Sequence, residues 1–176
     1  APLEYHASKL IEKFTGQHFD RQHLTLPAYR QIKEYLNTNF FFISPKEDYR
    51  LDTILEKARF LVRRRGIKCL VIDPYNRLED ESDGHNETKY ISKQLDRLTN
   101  FAQRNDVMVI LMAHPTKQSK NKDGVIEAPT LYDISGSAHF YNKTDFGIVV
   151  HRNRIDNTVE VHVQKVKFRH LGECGT

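Results

Sequence analysis

Two apolar runs decide the fold: Cys69-Leu70-Val71-Ile72-Asp73-Pro74, which breaks on an acid, and Val107-Met108-Val109-Ile110-Leu111-Met112-Ala113, which breaks on His114. Each reads as a buried β-strand that delivers one polar side chain at its carboxyl end, where open parallel sheets place their ligands. Between them, Glu87 to Arg104 carries Ile91, Leu95, Leu98 and Ala102 at helical spacing. Strand, amphipathic helix and strand make one parallel crossover unit. With an Asp at one strand tip and a His at the next, the unit points to a nucleotide-hydrolysing α/β core.

Outward from this unit the pattern continues. Leu3, Ala7, Leu10, Ile11 and Phe14 recur at helical spacing until Gly16. A second helix is expected from Leu26-Pro27, with Tyr29, Ile32, Tyr35 and Leu36 on one side. Phe40-Phe41-Phe42-Ile43, ended by Ser44-Pro45, reads as a short buried strand. Leu51 to Arg65 repeats Leu51, Ile54, Leu55, Ala58, Leu61 and Val62 at a period of 3.6 and stops at Gly66. Glu79 to Asn86 and Thr116 to Pro129 are polar enough to be loops, the second with Lys117, Lys120 and Lys122. Phe146 to His151 and Thr158 to Val163, around Arg154-Ile155-Asp156-Asn157, predict an antiparallel hairpin.

Composition bounds the possibilities more loosely. A chain of 176 residues suits one domain. Net charge of +4 with 28% charged residues is compatible with a polyanionic partner without demanding one. Cys69 and Cys174 form neither a metal-ligand spacing nor a disulfide framework, which suits a reducing compartment. No apolar stretch approaches the ~18 residues of a membrane span, and no signal-peptide pattern opens the chain, so a cytoplasmic, membrane-free location is expected.

Several side chains could carry chemistry, each with a plainer alternative. Asp73 can hold a nucleotide-bound magnesium ion, directly or through its waters, or can cap the turn at Pro74. His114, one strand over, can touch a terminal phosphate and report its loss to the lysine loop, or can be structural. Ser135-Gly136-Ser137-Ala138, followed by Lys143-Thr144-Asp145, reads first as a turn and helix cap, and second as a loop approaching a nucleic-acid backbone. Lys165-Val166-Lys167-Phe168-Arg169 is a solvated charge run or a phosphate-binding segment, since the guanidinium fork suits phosphate oxygens.

In this order and spacing the segments resemble the RecA-like motor domain of DnaB-type hexameric replicative helicases, on the phage primase-helicase and Twinkle-like side of that family. Val71-Ile72-Asp73 looks like its Walker B strand, which implies that Asp73 organises Mg2+. Met112-Ala113-His114-Pro115-Thr116-Lys117 is similar to its third motif, with His114 sensing the γ-phosphate. Ser135-Gly136-Ser137-Ala138 through Asp145, Arg152 and Asn153 resembles its fourth motif, which implies a DNA-facing loop and an Arg152 packed against the bound base. Lys167-Phe168-Arg169, with Gly172 and Gly175, resembles the segment whose Arg acts on a neighbouring subunit's ATP.

The resemblance implies a RecA-like P-loop NTPase fold with a mostly parallel sheet flanked by helices, ATP and Mg2+ as cofactors, and single-stranded DNA held by Lys117, Lys120, Lys122, Ser135, Gly136 and Ser137. It also implies a hexameric ring, with a primase as a candidate partner; a bacterial or phage cytoplasm is expected before a mitochondrial location. No G-x-x-x-x-G-K-[ST] occurs in the 176 residues. The phosphate cradle and catalytic Glu are therefore expected upstream of Ala1 in a longer parent protein. Residues 1–176 would be a single ATPase-domain fragment that binds nucleotide weakly or not at all; Glu4 already belongs to the first helix. A RecA/RadA-like recombinase, a plasmid-replication ATPase and a non-enzymatic binding or oligomerisation module share the same core pattern.

Overall fold

The computed structural model describes residues 3–19, 25–45, 47–78, 87–116, 126–134 and 138–176. Three helices precede the first strand: α1 (Leu3–Thr15), α2 (Leu26–Asn39) and α3 (Leu51–Arg65). Then follow β1 (Cys69–Ile72), α4 (Glu87–Asn105), β2 (Met108–Leu111), the short α5 (His139–Lys143), β3 (Phe146–Arg152) and β4 (Val159–Val166). Helix ends sit where the residue types demand. Gly66 adopts a left-handed backbone, φ 64°, and its N–H reaches the Val62 carbonyl, closing α3 at no side-chain cost. Asp106 takes the same region, φ 51°, a conformation that Asp tolerates better than most residues.

β1 and β2 pair in parallel, Leu70 opposite Val109 and Ile72 opposite Leu111. One face of this sheet rests on α3 and α4: Leu51, Leu55, Ala58, Leu70, Ile72, Ile91, Leu95, Leu98, Phe101, Val107 and Phe140 form one buried cluster. The inward stripe of α4 includes Phe101 and Gln94, beyond the apolar positions expected, whereas Ala102 is only half-buried. The other face is open. Val71 is 54% exposed and Met108 59%, with Ile110 and Met112 beside them, so the expectation of strands buried on both faces is corrected. No second layer covers that side among the described residues.

Two further expectations change. The sheet is not extensively parallel: among the described residues β1–β2 is a two-stranded parallel sheet and β3–β4 a separate two-stranded antiparallel one. The α/β class stands; the parallel core is small. Phe40 to Ile43 joins neither sheet and is irregular. Two of its aromatic side chains meet helices instead. Phe40 meets Phe14 of α1 at 6.2 Å and Tyr35 of α2 at 6.3 Å between ring centres, and Phe41 lies under the Arg65 guanidinium.

The hairpin has the expected turn, with Asn157 in left-handed backbone and the Asp156 carboxylate accepting from the N–H and hydroxyl of Thr158. It is fastened to the rest by side chains. Gln164 accepts from Leu131 N–H and donates to the Pro129 carbonyl, and Lys165 donates to the Tyr141 carbonyl. Lys143 in turn reaches Asp96 and the Ser92 carbonyl of α4. Gly147 lies so close over the Leu131 side chain that a β-carbon would collide with its Cδ1. Gly147→Ala should therefore destabilise the fold by about 1–3 kcal/mol, measured by urea unfolding. In a Leu131→Ala background the same change should cost less; equal cost in both backgrounds would refute the contact as the cause.

Candidate nucleotide site at the strand tips

Because β1 and β2 run in parallel and in register, the residues that leave them emerge at the same end of the sheet. Asp73 follows Ile72 directly, and His114 stands three residues after Leu111. Both are exposed. Backbone bonds hold the tips together: Met112 N–H donates to the Ile72 carbonyl at 2.9 Å, and Tyr75 N–H to the Met112 carbonyl at 2.7 Å. Asn76 adds a third tie, its side-chain oxygen accepting from His114 N–H at 3.5 Å. The peptide between Asp73 and Pro74 is cis, and the chain then makes a single 3-10 turn, Tyr75–Arg77. Among the described residues neither the Asp73 carboxylate nor the His114 ring has a hydrogen-bond partner of its own.

Past His114 the chain is fixed on its other side. Pro115 forms an isolated bridge with Ile134, and the Thr116 N–H and hydroxyl both donate to the Asp133 carbonyl, at 2.7 and 2.8 Å. Asp133 closes a capping box with Thr130, its carboxylate accepting from the Thr130 N–H at 2.6 Å and hydroxyl at 2.8 Å. The segment that carries His114 thus bridges the Asp73 turn and the residues just ahead of Ser135. Asn76, Thr116 and Asp133 escape a reading of the sequence because they act through hydrogen bonds between distant segments. Only the Thr130-x-x-Asp133 spacing has a local signal.

The remaining expected site residues lie on and after the hairpin. Arg152 ends β3 and donates to the Asn157 side chain at 3.0 Å. The basic segment from Lys165 to Arg169 does not continue as one strand. Lys165 belongs to β4, whereas Arg169 begins a 3-10 turn, Arg169–Leu171. Lys167 is bound within the chain, Nζ to the Asp145 carboxylate at 2.6 Å and N–H to the Asp145 carbonyl at 2.9 Å. Arg169 is exposed, and its guanidinium has no partner among the described residues. No described contact joins Arg152, Lys167 or Arg169 to the Asp73–His114 tips. Lys117, Lys120, Lys122, Ser135, Gly136 and Ser137, with the expected loop from Glu79 to Asn86, lie outside the described residues.

Among the described residues no three His, Cys, Asp or Glu side chains are placed to hold a metal ion. Mg2+ keeps most of its waters and takes one or two carboxylates plus phosphate oxygens. Asp73, with its carboxylate unengaged, fits that role.

The model of the DnaB-like helicase C terminal domain matches residues 11–174. The chain belongs to that family. As a DnaB-like helicase C-terminal domain it is similar to a Twinkle homolog protein, chloroplastic/mitochondrial, of Arabidopsis thaliana: 40% identical over 185 aligned residues, covering 97% of this chain and 26% of that protein. It is also 25% identical, over 130 residues, to a DNA helicase/primase of Enterobacteria phage T3, covering 70% of this chain and 22% of that protein. The chain spans about a quarter of the length of these relatives. No helix among the described residues is long and apolar enough to cross a membrane.

The Thr130 N–H and then its hydroxyl hold the Asp133 carboxyl below the usual aspartate range. A carboxyl depressed in the folded state stabilises above its unfolded pKa and loses that contribution as pH falls through the folded value. Carbon-detected titration of Asp133 should give a midpoint below the ordinary aspartate value, and Thr130→Val should raise it. A midpoint unmoved by that substitution would refute the hydroxyl's share in holding the carboxyl, leaving the backbone N–H as its cause.

Proposed function

We propose that the protein containing this domain hydrolyses ATP to move along single-stranded DNA and so separates duplex strands, with residues 1–176 forming one domain of its motor. The observation that carries the reading is the pairing of β1 with β2, which puts an unengaged carboxylate and an unengaged imidazole at one end of the same parallel sheet. Family membership supports the same chemistry. Nucleotide sits across a subunit boundary. Asp73 would hold Mg2+, directly or through its waters, and the ion would supply charge neutralisation at the terminal phosphates. His114 contacts the γ-phosphate, and Arg152 packs against the base.

Lys167 and Arg169 come from the neighbouring subunit of a hexameric ring. The Asp145–Lys167 bond sets the lysine's position, while the unengaged guanidinium of Arg169 is free to reach across. Thr116 and Asp133 link the His114 segment to the DNA-facing residues Ser135, Gly136 and Ser137, and Lys117, Lys120 and Lys122 follow directly on Thr116. A primase partner or a fused primase fits the name of the phage relative. The plant relative's name supports an organellar location at least as well as a bacterial or phage-infected cytoplasm.

The test uses the longer protein. Arg169→Ala throughout the ring should abolish hydrolysis, and mixing it with Asp73→Ala subunits should restore part of it at interfaces where both wild-type groups meet. Assembly with no restoration rejects the trans assignment. His114→Ala should retain nucleotide binding but lose stimulation of turnover by DNA, read by steady-state ATPase assays with and without oligonucleotide. Undiminished stimulation returns His114 to a structural role.

A further inference from the structure

The last two turns of α3 carry a surface that the strand-tip site does not use. On a helix, positions 57, 60, 63 and 64 fall within one outward arc, opposite the buried stripe of Leu51, Leu55 and Ala58. They are Lys57, Phe60, Arg63 and Arg64, all exposed. Phe60 is 60% exposed, and the Arg64 guanidinium stands 5.8 Å from its ring centre. Arg59 flanks them. None of these cations has an ion-pair partner among the described residues. Some other cations are paired with acids: Lys9 with Glu12, Arg50 with Asp48, Lys143 with Asp96 and Lys167 with Asp145. Even the acid in the first turn of α3, Asp52, is bound by Arg97 of α4. Glu56 is the one acid remaining within the arc.

A favourable helix dipole accounts for arginines in a final turn. It accounts neither for a phenylalanine left in water beside them nor for Lys57 two turns earlier. A run of cations about 10 Å long, interleaved with an aromatic ring, is the composition that tracks a phosphate backbone while stacking an unpaired base. A duplex offers no free base face to the ring. α3 leads through Gly66 into the start of β1, so its carboxyl-terminal turn lies at the opposite end of that strand from Asp73. We infer that the outer face of α3, through Lys57, Phe60, Arg63 and Arg64, is a second contact for single-stranded nucleic acid, separate from the loops proposed to hold DNA near the nucleotide.

The experiment uses the 176-residue chain and a fluorescein-labelled oligo(dT), with anisotropy measured from 50 to 200 mM salt. Lys57→Gln/Arg63→Gln/Arg64→Gln should weaken binding at least tenfold at the lowest salt and flatten the logarithmic salt slope by about 2, at roughly 0.7 for each phosphate that is no longer neutralised. Phe60→Ala should weaken it about fivefold or more and leave the slope unchanged, because stacking releases no counterions. Since all four side chains are exposed, thermal unfolding of the variants should match the parent.

A parallel Lys117→Gln/Lys120→Gln/Lys122→Gln variant separates the two proposals. If that variant loses binding while the α3 variants keep parental affinity and slope, the α3 contact is refuted and the loop assignment survives. If only the α3 variants lose binding, the α3 contact stands and the loop assignment falls. Oligoglutamate competing as well as oligo(dT) of equal charge would overturn the nucleic-acid reading in favour of an acidic protein segment. Absence of salt-dependent binding by the parent chain would also overturn it.

Discussion

Parallel pairing of β1 with β2 is the constraint from which the rest follows. A parallel pair needs a crossover, and α4 supplies it, pressing Ile91, Leu95, Leu98 and Phe101 onto the same sheet face that α3 covers with Leu51, Leu55 and Ala58. Burial of side chains like these is worth about 1.5–3 kcal/mol apiece, which fixes the register far more firmly than the four residues of each strand could. The register in turn decides chemistry. Slipping either strand by one residue would turn its apolar set to the opposite face and shift Asp73 or His114 by about 3.3 Å along the sheet.

The core so formed is one-sided. Val71, Met108, Ile110 and Met112 line the uncovered face of the parallel pair, and Ile148, Val150, Val159 and Val161 stand exposed on the hairpin. Parallel strands are normally covered on both faces, which is why such runs read as buried. Their composition suits burial, but no covering layer exists among the described residues. The hairpin is joined to the body without strand pairing to β1 or β2. Gln164, Lys165 and Lys143 make the attachment, together with the close seating of Gly147 on Leu131, and all of it passes through 129–143, the stretch that also receives the His114 segment.

Charge is distributed unevenly for a chain of modest net charge. Acids bind Lys167 beside the hairpin and Arg97 and Lys143 at α4, whereas the cations on the outer face of α3 have no acid partner among the described residues. The arrangement separates two kinds of positive group: those such as Lys167 and Lys143, whose role begins with holding the fold, and those such as Arg169, Arg63 and Arg64, whose charge faces solvent unneutralised.

Local pattern was enough for the helices, the two core strands, the hairpin turn and the family. Helical period, Gly66 as a stop, and the apolar runs broken by Asp73 and His114 are all written within a few residues of where they act. Neighbourhood was not. That Phe40 to Ile43 leaves the sheets to pack against helices, that Lys167 is occupied by Asp145, and that Thr116 grips Asp133 depend on which distant segments come together. Such contacts are set by packing of the whole chain, since a side chain bonds whatever group the fold brings within about 3 Å, and no periodicity in the sequence encodes that meeting.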